Sequence, residues 1–239
     1  MVAAIRSIAT FVAVALYVLL IGPPVLLIAI AFRQRALLYR VGHAGVRLGL
    51  ALSGIKIVLE GSQHIQRHRA AVYAVNHASN VEPPIIFDAL HDLFPHLRIV
   101  YKAELRKLPV LVRAFDLAGF IPLQRGNPEQ SLPAIDGAAA ALRDGDSFLI
   151  FPEGTRSRTG ELLPFKKGGF IMALKGEAPV VPIAISGAQN AMRKGSPLIY
   201  PVTVHVRIGE PVETAGMTLE DRDRLVTAVR NRIQSLLTG

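Results

Sequence analysis

Apolar positions are concentrated at the start of the chain. From Ser7 to Phe32 no side chain is charged, and Ala, Val, Leu and Ile dominate the run between Arg6 and Arg33. As a helix this stretch would extend about 39 Å against a hydrocarbon core of roughly 30 Å, so one tilted bilayer crossing is geometrically possible. Gly22-Pro23-Pro24 falls inside it. Two prolines remove two backbone donors and disfavour α geometry just before them, which predicts a kink or a break at that point. A complete break would leave two halves too short to span. The element would then be a bent hairpin in one leaflet, joined by the moderately apolar stretch 41–55. A cleaved secretory signal fits less well, because its apolar region would be about 7 to 15 residues long and would end in small residues. This run ends in Phe32-Arg33-Gln34-Arg35. Residues 1–54 are therefore read as a retained membrane anchor. Arg33, Arg35, Arg40 and Arg47 outnumber Arg6, which places the following domain on the cytoplasmic side of the inner membrane.

From 55 to 239 the pattern changes to short apolar runs alternating with helical periodicity, with no repeat or low-complexity linker. Strands are predicted at 55–59, 71–75, 97–101, 120–123, 147–151, 180–185 and 202–208. Several lack polar alternation, as expected of strands buried on both faces of a largely parallel sheet. Helices are predicted at 84–90, 104–117, 129–143 and 165–175. Near the end, Leu225, Val229, Ile233 and Leu236 recur at spacings of three and four behind a capping pair, Thr218 and Asp221. The expected fold is α/β, a largely parallel central sheet flanked by helices, preceded by an apolar membrane-anchoring helix or helical hairpin.

Composition narrows the function classes. Hydrophobic residues make up 51% and charged residues 19%, so a core is available and disorder is excluded. The absence of cysteine excludes disulfides, thiolate catalysis and sulfur-ligated metals. A formal charge of +9 calls for an anionic partner. With 6% aromatic residues, no tryptophan and no nucleic-acid-binding signature, that partner is read as an anionic membrane surface or a phosphorylated substrate, not nucleic acid. Lys166 and Lys167, with the arginines of the anchor, are read as contacts to anionic headgroups.

Candidate chemistry begins where the strand 71–75 ends, in Asn76-His77-Ala78-Ser79-Asn80-Val81-Glu82-Pro83-Pro84. Polar residues following a strand are where α/β folds place ligands. His77 can accept a proton near neutral pH, and Glu82 can fix its tautomer and stabilise the imidazolium. Residues five apart on a regular helix lie roughly 140° out of phase, so pairing requires a turn between the two. The same spacing also suits a capping box between Ser79 and Glu82 with His77 as a loop residue, and the segment alone leaves both readings open. No Gly-x-Ser-x-Gly elbow favours Ser79 as a nucleophile, and no His-Glu-x-x-His pattern implies a metal.

Asn76-His77-Ala78-Ser79-Asn80-Val81-Glu82 resembles the His-x4-Asp block of the lysophosphatidic acid acyltransferases. Gly119-Phe120-Ile121-Pro122-Leu123-Gln124-Arg125, Phe151-Pro152-Glu153-Gly154-Thr155-Arg156-Ser157 and Val181-Pro182-Ile183-Ala184-Ile185-Ser186-Gly187 resemble that family's second, third and fourth blocks, in the same order. One departure stands out: Glu82 occupies the place of the usual Asp, a variant that also occurs among acyltransferases of other lysophospholipids. The resemblance implies that a fatty acyl chain moves from a thioester, acyl-coenzyme A or acyl-acyl carrier protein, to the free sn-2 hydroxyl of 1-acylglycerol-3-phosphate. His77 and Glu82 would be catalytic. Arg125 and Arg156 would hold the acceptor's phosphate, while Lys102, Glu153, Gly154 and Thr155 complete the binding residues. No cofactor and no metal are implied. Transfer to another lysolipid, or lipid binding without catalysis, are the competing readings.

Overall fold

The computed structural model describes residues 2–107, 109–123 and 128–238. Its strands are β1 (Lys56–Glu60), β2 (Val72–Val75), β3 (Leu97–Lys102), β4 (Ile121–Leu123), β5 (Ser147–Ile150), β6 (Val180–Ser186) and β7 (Thr203–Ile208). Every predicted strand is present. They form one sheet in the order β1-β7-β6-β2-β5-β3-β4. The block from β6 to β4 is parallel, while β7 runs antiparallel to β6 and parallel to β1. The C-terminal ends of five strands therefore share one edge, and β1 and β7 start from that edge.

The helices are α1 (Val2–Ala31), α2 (Arg35–Ser53), α3 (Glu82–Ala89), α4 (Pro109–Ala118), α5 (Pro128–Arg143), α6 (Gly168–Lys175), α7 (Ala188–Ala191) and α8 (Arg222–Thr238). Successive side chains of a strand point to opposite faces. Tyr73, Val75 and Leu149 accordingly pack on one side with Leu50 of α2 and Ile85 and Ile86 of α3. Val72, Ala74, Phe148 and Ile150 pack on the other with Leu142 of α5, Phe170 of α6 and Leu225, Val229 and Ile233 of α8. Helices on both faces explain why β2 and β5 are buried throughout.

Three predicted helices change in detail. The stretch 104–117 divides into a 3-10 turn, Ala103–Lys107, and α4, which starts at Pro109. Proline is suited to the first helical position and unsuited to an interior one. The helix expected from 165 begins at Gly168, because the Lys166 amide is taken by the Pro152 carbonyl at 2.7 Å. The Thr218–Asp221 capping box forms, but on a 3-10 turn at Leu219–Asp221 that leads into α8.

The amino terminus departs most from expectation. α1 continues through Pro23 and Pro24, and the reversal comes later, at residues 32–34. Each proline forfeits one donor and leaves the rest of the ladder in place, whereas reversing the chain requires a left-handed residue. Arg33 supplies it with φ +52°, and the Gln34 amide donates to the Ala29 carbonyl at 2.9 Å. α2, which the pattern left as an apolar stretch, packs on α1 through Gly45 and Gly49. A Cβ on Gly45 would lie 2.7 Å from Tyr17 Cε1, and one on Gly49 would lie 3.2 Å from Val14 Cγ2. Small residues four apart allow this close approach. The Tyr17 hydroxyl donates across the seam to the Val41 carbonyl at 2.8 Å.

α1 is long and apolar enough to cross a membrane, with a mean hydropathy of 2.6 in its best window. Ile5, Ile8, Leu19, Leu20 and Leu27 stand exposed along it. Both ends of the helix are nevertheless tied to the rest of the fold. At the start, the Ile199 amide donates to Ser7 Oγ at 2.7 Å. Just past the other end, Arg35 donates to the Ala118 carbonyl at 2.8 Å and pairs with Asp146 at 3.5 Å.

The chain leaves β1 through Gly61, whose φ is +76° and where a Cβ would fall 2.0 Å from the Ile208 carbonyl oxygen. Gly61→Ala must adopt a left-handed conformation and displace backbone, so a loss of about 2 to 5 kcal/mol is expected from the denaturant midpoint. Wild-type stability in this variant would show that β1 can detach from β7 without consequence.

Candidate active site

β2 lies between β6 and β5, and its end delivers Asn76 and His77 to the edge where the parallel strands terminate. Asn76 locks the exit. Its amide group donates to the Ile185 carbonyl at 3.0 Å, and its Oδ1 accepts from the Ile185 amide at 2.7 Å. Three residues further on, Ser79 donates its hydroxyl to the Met192 carbonyl at 2.7 Å. Ser79 therefore faces a different loop from the one a capping box with Glu82 would require.

Glu82 opens α3, and Pro83 and Pro84 occupy its first turn, where missing amide donors cost least. Its carboxylate has no exposed surface. The Ala78 amide donates to both carboxylate oxygens at 3.0 and 2.9 Å, and His77 Nδ1 lies 2.8 Å from Oε2. With Nδ1 as the donor, the lone pair of the ring sits on Nε2, which has no hydrogen-bond partner among the described residues. The Phe151 ring lies against the imidazole with centroids 4.4 Å apart. A buried carboxylate, an oriented imidazole and an unengaged Nε2 together provide a base able to accept a proton and hold the resulting charge.

The segment after β5 supports this pair from below. Glu153, 2% exposed, accepts from the His77 amide at 2.7 Å through Oε1 and from the Leu163 amide at 2.9 Å through Oε2. The Ser157 amide in turn donates to the His77 carbonyl at 2.7 Å. In the structure both Glu153 oxygens are engaged by backbone amides, one of them that of His77. Burial pushes the Glu153 carboxyl above the ordinary glutamate range, the two amide bonds pull it back, and the nearby Glu82 charge adds to the rise. Gly154 has φ +66°, the conformation that favours glycine in this turn. Thr155 is exposed, and Arg156 is half-buried with no ion pair among the described residues. Lys102 ends β3 beside Leu123 of β4, at the same edge. Arg125 lies outside the described residues. No group of three or more His, Asp or Glu suited to a metal occurs among the described residues.

The acyltransferase family model matches residues 56–186, more than half of the chain. The chain belongs to the acyltransferase family. A 1-acyl-sn-glycerol-3-phosphate acyltransferase of Limnanthes douglasii is 33% identical over 192 residues, covering 80% of this chain and 66% of that protein. One from Borreliella burgdorferi is 27% identical over 191 residues, covering 80% of this chain and 75% of that protein. This chain thus spans just under two thirds of the Limnanthes relative. The crystal structure of the 1-acyl-sn-glycerophosphate (LPA) acyltransferase PlsC from Thermotoga maritima superposes with a TM-score of 0.80 at 24% identity, covering 98% and 97% of the two chains. That likeness establishes the shared fold.

Motif reading missed the two clamps, Asn76 on Ile185 and Ser79 on Met192, since neither partner backbone can be foreseen from spacing. The Glu153 carboxyl keeps its proton to higher pH in the folded protein than in the unfolded chain. It therefore favours folding below the ordinary glutamate value, and that contribution is lost as pH rises to the folded value. Glu153→Gln should remove this slope and turn an amide NH2 towards one of two backbone donors, costing about 1 to 3 kcal/mol. Denaturant unfolding between about pH 4 and 8 would measure both effects.

Proposed function

We propose that the chain transfers a fatty acyl group from a thioester to the free sn-2 hydroxyl of 1-acylglycerol-3-phosphate, giving phosphatidic acid. The observation that carries this reading is the His77–Glu82 pair, 2.8 Å apart around a carboxylate with no exposed surface. The acceptor class is supported by the similar 1-acyl-sn-glycerol-3-phosphate acyltransferases. His77 Nε2 takes the hydroxyl proton as the oxygen attacks the thioester carbonyl. Glu82 holds the imidazolium. The tetrahedral intermediate then collapses, the C–S bond breaks, and the thiolate leaves with the proton returned by His77. Acyl-coenzyme A or acyl-acyl carrier protein serves as the donor, with no cofactor. Arg156 and Arg125 contribute guanidinium groups for the acceptor phosphate.

In the same reading, residues 1–54 attach the protein to the membrane and 55–239 carry the acyltransferase domain. Since Ser7 near the start of α1 and Arg35 at the start of α2 are both bonded to that domain, α1 lies in one leaflet along an anionic, cytoplasmic-facing surface and does not cross the bilayer.

His77→Ala should lower turnover about 10²-fold to 10⁴-fold while leaving unfolding and membrane pelleting unchanged. Activity above about a tenth of wild type would overturn the base assignment. A panel of lysophospholipids with both thioester donors would test the acceptor, which should be the phosphomonoester. The anchor has its own test: apolar area holds α1 to lipid, so full-length protein should stay with membranes through a high-salt wash. A merely electrostatic attachment would be released.

A further inference from the structure

α1 buries four of its residues, and the two nearest its start, Ser7 and Thr10, carry hydroxyls. A hydroxyl turned away from both lipid and water is costly unless it is bonded there. Ser7 is bonded twice. Its Oγ donates to the Ala3 carbonyl at 2.7 Å and accepts from the Ile199 amide at 2.7 Å. Ile5 and Ile8 on either side stand exposed. The same turn of helix therefore offers apolar side chains outward and a bonded hydroxyl inward, to the loop between β6 and β7.

That loop, 187–202, starts at the active-site edge, because β6 ends there and β7 runs back from it. It is braced from within. The Tyr200 amide donates to the Ala191 carbonyl at 2.9 Å, the Ser196 amide to the Arg193 carbonyl at 3.0 Å and the Leu198 amide to Ser196 Oγ at 3.1 Å. Met192 and Ile199 are buried in the core beneath α2 and α3. A loop closed on itself and seated in the core has little freedom to move piecemeal. Two further ties run from it to the candidate site. Ser79, without exposed surface, donates to the Met192 carbonyl, and Lys194 Nζ donates to the Arg156 carbonyl at 2.8 Å. The next amide after Arg156, that of Ser157, donates to the His77 carbonyl. Contacts thus run without a gap from Ser7 through the loop to the backbone of Arg156, and Met192, Lys194 and Ile199 all lie beyond the stretch 56–186 that matches the family.

We propose that Ser7 and Lys194 are positioning residues of the active site, through which α1 holds the backbone at Arg156 in register with His77, so that the helix supports the catalytic edge as well as attaching the protein to lipid. The inference rests on the reading of Arg156 as a contact to the acceptor's phosphate. A misplacement of about 1 Å, arising far from the chemistry, can lower a rate by about 10²-fold, so a backbone tether of this kind has functional weight.

The test uses full-length protein in detergent with Ser7→Ala, Lys194→Met and the two combined. Each single change should raise the KM for 1-acylglycerol-3-phosphate by about 2-fold to 30-fold and leave the KM for acyl-coenzyme A and membrane pelleting as they are. Residues acting along one path are not additive, so the combined variant should be little worse than the worse of the two, whereas separate disturbances would multiply. Hydrogen exchange supplies a readout without turnover: Ser7→Ala should speed exchange of the amides in 153–158 and leave α8 as protected as before. Should Ser7→Ala not fold, the path can be read from its other end, since Lys194→Met should speed exchange at the Ile199 amide as well as in 153–158. Exchange changes confined to the neighbours of the altered residue, KM effects that multiply, or a KM rise confined to acyl-coenzyme A would overturn the proposal. A wild-type protein that acylates no lysolipid would sink the enzymatic reading, and exchange alone would then decide whether the tether exists.

Discussion

A carboxylate without exposed surface needs donors for its oxygens if it is to stay charged, since desolvating an unpaired ion costs several kcal/mol. Glu82 meets that requirement from two successive residues, through the Ala78 amide and the His77 ring. The demand fixes the local backbone: the chain must turn sharply between β2 and α3 so that a helix-opening side chain reaches back five residues. It also fixes the imidazole, since Nδ1 cannot turn away without leaving the carboxylate unsatisfied. Orientation of the imidazole and local folding are thus satisfied by the same contacts.

A second buried carboxylate extends the arrangement. Glu153 takes the amide of His77 itself, so the segment after β5 grips the segment after β2 by backbone on one side and Ser157 grips it on the other. Burial and the nearby Glu82 charge raise the cost of ionising Glu153, and its two amide donors pull it back in part. The parallel sheet makes this possible by ending β2, β5 and β6 at one edge, so that three loops distant in sequence meet with little freedom.

The amino-terminal hairpin is bound into this framework. Glycines at 45 and 49 bring α2 against α1, Tyr39 and Leu50 of α2 enter the body of the fold, and Ser7 reaches the loop between β6 and β7. An exposed apolar helix is thereby joined to the same sheet edge as His77.

The chain's own pattern determined a good deal. Alternation and apolar runs located all the strands, because strands buried on both faces admit little else, and the blocks around His77 and Arg156 carried the family resemblance in residue type alone. Spacing left open whether Glu82 would return to His77 or cap with Ser79, and the fold brought Glu82 to His77. Tertiary structure decided what depends on residues far apart. It placed the hairpin turn at 32–34 and not at Pro23-Pro24, since a helix tolerates lost donors more readily than a reversal tolerates a right-handed residue. It gave Glu153 to the His77 backbone, a partner 76 positions away that no local window contains. It also tied Ser7 and Ser79 to one loop and that loop to Arg156, because only the strand order brings those segments to the same edge, and a hydroxyl in a sequence has no direction until the fold supplies it.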